Sequence, residues 1–125
     1  MKKKILLIDD DRLLRMSMQV AFEAEGYDVV EAENGKSGLE IIKNNRPDMI
    51  ICDIKMPEMD GLTLLKIVKA DPTISAIPFY MLTSLQEEIV TSVETGAEQA
   101  LFKSSVTPKA VVTAINSFFS TTSNP

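Results

Sequence analysis

At 125 residues and 45% hydrophobic content, the chain is long enough for one domain with one core, and nothing in it suggests a second. The 13 basic and 18 acidic residues leave a formal charge of -5, which argues against a general grip on nucleic acid or on an anionic membrane surface. With no histidine present, zinc sites with His ligands, His-based triads and phosphohistidine chemistry on this chain are excluded.

The opening "MKKKILLID" has a basic head, but its apolar run stops at Ile8, too short for a signal peptide or a membrane span, so a cytoplasmic protein is expected. The first strand is predicted over Lys4 to Asp9, and a helix over Arg12 to Glu25, where Leu14, Met18, Ala21 and Phe22 share a face. A more mixed strand, Tyr27 to Ala32, leads to a helix over Gly35 to Asn45 with Leu39 and Ile42 on one side. The third strand, Met49 to Ile54, is as continuously apolar as the first, which places both at the centre of a sheet covered on two faces. It contains the lone cysteine, Cys52, read as a buried hydrophobe. A helix from Leu62 to Ala70 follows, closed by Asp71 and Pro72. Then come a strand over Phe79 to Ser84, a helix over Gln86 to Thr95, a short strand over Gln99 to Lys103 and a helix from Pro108 to Phe119. Gly26 and Gly96 stand where a left-handed residue ends a helix. Residues 121–125 read as a polar tail or the start of a linker after a domain spanning residues 1–120.

Five βα units are too few for a closed barrel, so an open, doubly wound parallel sheet is expected, with strand order 2-1-3-4-5. In that architecture functional groups collect beyond the carboxyl ends of strands 1 and 3. Asp9, Asp10 and Asp11 follow strand 1 and Asp53 closes strand 3, so carboxylates converge on one rim and call for a cation. Hard oxygen donors favour Mg²⁺, with Mn²⁺ or Ca²⁺ as substitutes. Asp is also a favoured helix N-cap, and Asp11 is assigned to that role alone; Asp60 and Gly61 read as turn chemistry before the third helix. Thr83 ends strand 4 and Lys103 ends strand 5 on the same rim, and together these groups suit phosphoryl transfer.

"LLIDDDR", "DIKMPEMDG", "MLTS" and "LFK", in this order and spacing, resemble the receiver domain of two-component response regulators, over about Lys4 to Phe119. The resemblance implies a chemotaxis-regulator-like, flavodoxin-like (βα)5 three-layer α/β sandwich. It implies that Asp53 takes a phosphoryl group from a histidine kinase or histidine phosphotransfer protein and thereby controls a downstream target protein or output domain. By the same resemblance Asp10 is the direct Mg²⁺ ligand, Asp9 holds metal-bound water, and Asp53 and the Lys55 backbone carbonyl complete the protein ligands. Thr83 bonds a phosphoryl oxygen, Lys103 balances its charge, and Ser84 keeps a small side chain at the access route. Such a chain is a signalling domain rather than an enzyme, limited to self-catalysed phosphoryl transfer and autodephosphorylation, with no direct contact to nucleic acid or membrane.

Two positions depart from the family pattern. Lys103 is followed by Ser104 where the family has a cis-proline, and Ala100 replaces the aromatic switch residue. Coupled rotation of Thr83 and an aromatic ring is therefore ruled out, and Thr83 is expected to move inward without it, shifting the fourth helix and fifth strand. Lys55 is expected to cover the phosphoryl group and slow water attack. Two other functions compete: a degenerate receiver that binds partners without phosphorylation, and a Mg²⁺-dependent aspartyl phosphohydrolase. The second wants an acid two residues after the nucleophile, where this chain has Lys55.

Overall fold

A computed structural model describes residues 2–123, and strand and helix alternate along them as predicted. The order is β1 (Lys4–Ile8), α1 (Arg12–Ala24), β2 (Asp28–Ala32), α2 (Gly35–Asn44), β3 (Met49–Asp53), α3 (Gly61–Ala70), β4 (Phe79–Thr83), α4 (Gln86–Thr95), β5 (Gln99–Phe102) and α5 (Pro108–Ser123). Every strand pairing is parallel, and the sheet runs β2-β1-β3-β4-β5, the doubly wound order expected from five units.

Period-two alternation divides the core. Leu6, Ile8, Ile50, Cys52, Phe79 and Met81 point to one face, where Ile42 of α2 and Leu64, Leu65 and Val68 of α3 cover them. Ile5, Leu7, Met49, Ile51, Tyr80 and Leu82 point to the other, against Met18 and Phe22 of α1 and Val111 and Ile115 of α5. The faces predicted for α1 and α2 are the ones buried. Each fully buried side chain of this size contributes about 1.5–3 kcal/mol, against about 1 kcal/mol for a typical hydrogen bond. Apolar packing, not the polar rim, therefore fixes where the strand ends lie.

Helix starts follow the sequence. Asp11, Asn34 and Asp60 cap α1, α2 and α3 by accepting from the backbone N–H of Leu14, Ser37 and Thr63. Gly26 and Gly96 take positive φ values of 92° and 124° just past α1 and α4, as predicted. Strand β2 ends at Ala32 as expected, whereas the other four stop a residue short, because Asp9, Ile54, Ser84 and Lys103 lie beyond the last paired positions. Lys103 instead opens a single 3-10 turn, Lys103–Ser105. No peptide bond among the described residues is cis, so Lys103–Ser104 is trans. The α5 backbone runs past Phe119 to Ser123, since no Gly or Pro intervenes to stop it; residues 124 and 125 of the predicted tail lie outside the described residues. Among the described residues no helix is long and apolar enough to cross a membrane.

Candidate functional site

The carboxyl ends of β1 and β3 bring Asp9, Asp10 and Asp53 together, each offering an oxygen within 4.8 Å of the others. Asp9 and Asp53 are buried, at 0% and 5% exposure, whereas Asp10 faces solvent. Lys103 reaches across from the end of β5, its Nζ 2.9 Å from Asp53 Oδ2 and 3.0 Å from Asp9 Oδ2. The contact with Asp53 is a hydrogen bond, but the approach to Asp9 lacks that geometry, so the buried Asp9 Oδ2 has an ion-pair neighbour and no hydrogen-bond donor. Such an oxygen, beside two further carboxylates and with no histidine or cysteine joining the cluster among the described residues, fits a hard divalent cation. Arg15 fixes the turn after β1 by donating to the Asp9 carbonyl at 2.6 Å while pairing with Glu31.

Burial raises the Asp53 carboxyl above its ordinary value; Lys103 pulls it down and Asp9 pushes it up, with a net rise. Burial alone would lower the Lys103 ammonium, but the facing Asp53 and Asp9 outweigh it and leave its pKa raised. The lysine is firmly cationic and the nucleophile candidate is held by it, although the cluster still carries excess negative charge.

The remaining predicted residues divide. The Asp11 carboxylate caps α1 on the Leu14 N–H, while its backbone N–H donates to Asp9 Oδ1 at 2.9 Å. Lys55 and Ser84 are exposed beside the rim, and Ala100 is half-buried against the α2–α3 core. Thr83 is fully buried, but its hydroxyl donates to Glu88 Oε1 of α4 at 2.6 Å, not to Asp53. Strand alternation explains this: Asp53 shares the parity of Met49 and Ile51, facing α1 and α5, whereas Thr83 shares that of Phe79 and Met81. Glu88 was missed because no motif marks it; the parity of Thr83 with an acid five residues on was the available signal.

Gly61 also has a sharper role than turn chemistry. A Cβ there would lie 2.3 Å from the Asp53 backbone oxygen, while the Gly61 N–H donates to the Ile54 carbonyl at 2.8 Å. The loop after Asp53 thus doubles back against the nucleophile's own backbone, a path open only to glycine.

Comparison with known proteins points the same way. The pattern of the response regulator receiver domain matches residues 5–116. "Probable transcriptional regulator ycf27" of Cyanophora paradoxa is 32% identical over 126 residues, which cover 99% of this chain and 51% of that protein. The chain spans about half the length of the curated relatives it matches. The receiver domain of Francisella response regulator 1452 superposes with a TM-score of 0.89 at 28% identity, covering 97% of this chain and 99% of that one. Chemotaxis response regulator CheY4 of Vibrio cholerae superposes at 0.86 with 27% identity, covering 94% and 98%. With its fold, its acidic rim and nearly its whole length matched, the chain belongs to the response regulator receiver domain family.

Proposed function

We propose that Asp53 is the phosphoacceptor of this receiver domain, supplied by a phosphohistidine on a cytoplasmic histidine kinase or histidine phosphotransfer protein. An Asp53 carboxylate oxygen attacks phosphorus; the P–N bond to the donor imidazole breaks as the P–O bond forms, and the leaving imidazole takes up a proton. The observation that supports this most is the buried Asp53 carboxylate, held by Lys103 at 2.9 Å in a cluster with Asp9 and Asp10. Asp9, Asp10 and Asp53, with the Lys55 carbonyl, would hold Mg²⁺, which supplies charge neutralisation for the crowded carboxylates and the incoming phosphoryl oxygens. Lys103 keeps Asp53 in place and balances the oxygens of the acyl phosphate. Thr83 bonds one of those oxygens after leaving Glu88, exposed Ser84 leaves the approach open, and Lys55 screens the product from water. The regulated output is a partner protein or an attached domain, and any turnover is the chain's own phosphoryl transfer and autodephosphorylation.

The test is incubation with acetyl phosphate and Mg²⁺ followed by intact-mass measurement. Wild type gains one phosphoryl group and Asp53→Ala gains none. An unlabelled wild type, or equal labelling of both, overturns the assignment.

A further inference from the structure

Thr83 Oγ1 has a crowded set of partners. It donates to Glu88 Oε1 at 2.6 Å and accepts from the Leu85 N–H at 3.0 Å, with the Leu85 carbonyl oxygen 3.2 Å away as the other acceptor in reach. A hydroxyl has one proton, and a 2.6 Å contact to a carboxylate is a short, charge-assisted bond. Any phosphoryl oxygen that recruits Thr83 must take that proton's bond away from Glu88.

Glu88 lies in the first turn of α4, where its charge suits the positive helix end. The N-cap of that helix, Leu85, makes no side-chain cap bond. Only Ser92 of α4 is fully buried, whereas α3 buries Gly61, Leu64, Leu65 and Val68. Val90 and Val93 of α4 are 60% and 50% exposed. Helix α4 is thus weakly anchored by packing, and the Thr83–Glu88 bond fastens its start to the end of β4.

We infer that Glu88 is the positioning residue through which this chain reads its own phosphorylation: it holds the Thr83 hydroxyl in the unphosphorylated protein and frees the start of α4 when Thr83 turns to the phosphoryl group. The inference rests on Asp53 being the phosphoacceptor. The acyl phosphate adds about two negative charges at the rim. Glu88 then loses its donor and faces added charge of its own sign, so its half-buried carboxylate moves to solvent and carries the first turn of α4 with it. Ala100, on the neighbouring β5, has no side chain beyond Cβ with which to follow Thr83, which leaves Glu88 as the connection.

The experiment compares wild type, Glu88→Ala, Glu88→Gln, Thr83→Ala and the Thr83→Ala/Glu88→Ala double variant. Acetyl phosphate labelling is followed by intact mass, and the Glu87–Thr95 amides by NMR. Removing the competitor in Glu88→Ala should raise the labelling rate ~10-fold, the low end for one charge-assisted hydrogen bond, and shift the unlabelled α4 amides toward their labelled positions. Glu88→Gln keeps a neutral acceptor and should fall between the two. In the Thr83→Ala background Glu88→Ala should leave the rate unchanged. An equal Glu88→Ala effect in both backgrounds, or α4 amides that stay fixed while wild type labels fully, overturns the inference and leaves Asp53 as phosphoacceptor. A wild type that does not label removes the Asp53 reading and this inference with it.

Discussion

Replacing Lys103 with Met removes one charge and keeps most of the stem's packing, so the loss reports what that charge does for two buried carboxylates. Lys103 lies 2.9 Å from Asp53 and 3.0 Å from Asp9; the lysine side chain is 20% exposed and the carboxylates 8% and 0%. At an effective dielectric near 20, each contact is worth about 5.5 kcal/mol before desolvation is subtracted. Removing one partner from a buried pair costs about 3–5 kcal/mol. A ceiling exists, because one carboxyl can take up a proton, and from an ordinary value near 4 that costs about 4 kcal/mol at pH 7. The expected loss is therefore about 3–4 kcal/mol at pH 7, a large part of a typical domain's 5–15 kcal/mol. Its pH dependence has a definite sign. Without Lys103, burial and the facing Asp9 charge raise the folded-state value of Asp53 further above its unfolded one. The stability linked to such a group is complete below the unfolded value and is lost as pH rises through the folded one. The deficit should thus shrink by up to about 2.7 kcal/mol between pH 7 and pH 5. Urea melts of both proteins at the two pH values, without metal, measure it. A loss below about 1 kcal/mol at pH 7, typical of an exposed ion pair, or one that is equal at both pH values, would refute Lys103 as the neutralising charge.

Three further outcomes separate the rim residues. Gly61→Ala, whose Cβ must displace the Asp53 backbone oxygen 2.3 Å away, should cost about 1–3 kcal/mol in melts and slow acetyl phosphate labelling by ~10-fold or more. Asp11→Ala should lower stability by about 1 kcal/mol through the lost cap while labelling at the wild-type rate; slower labelling would place Asp11 among the site residues. Mg²⁺ should raise the wild-type melting temperature and have no effect on Asp10→Ala, and a persisting rise in that variant would remove Asp10 from the ligand set.

The inner places of β1 and β3 were legible because Leu6 to Ile8 and Met49 to Cys52 are apolar on both faces, and the sheet order followed from the count of five βα units. The convergence of Asp9, Asp10, Asp53 and Lys103 then followed from topology, since all four stand at carboxyl ends. What stayed hidden depends on direction rather than position. Thr83 occupies the predicted place, yet its hydroxyl goes to Glu88, because a strand end fixes where a residue lies and strand parity fixes which face its side chain takes. Gly61 was read as a turn residue, but its constraint comes from Asp53's own backbone oxygen, a contact no pairwise spacing encodes. The end of α5 was placed early because Ser and Thr lower helix propensity without abolishing it.

The division of the core by the sheet has a consequence for how substitutions combine. Phe22 and Ile115 belong to one side and Leu64 and Val68 to the other, with the strand backbones between them. Paired changes drawn from opposite sides should add to within about 0.5 kcal/mol, as independent sites do. At the rim that independence ends, because Asp53 belongs to the parity of one side and Thr83 to that of the other. A library that varies both layers freely while holding Asp9, Asp53, Thr83, Glu88 and Lys103 fixed would therefore behave as two nearly separate folding problems joined at one edge.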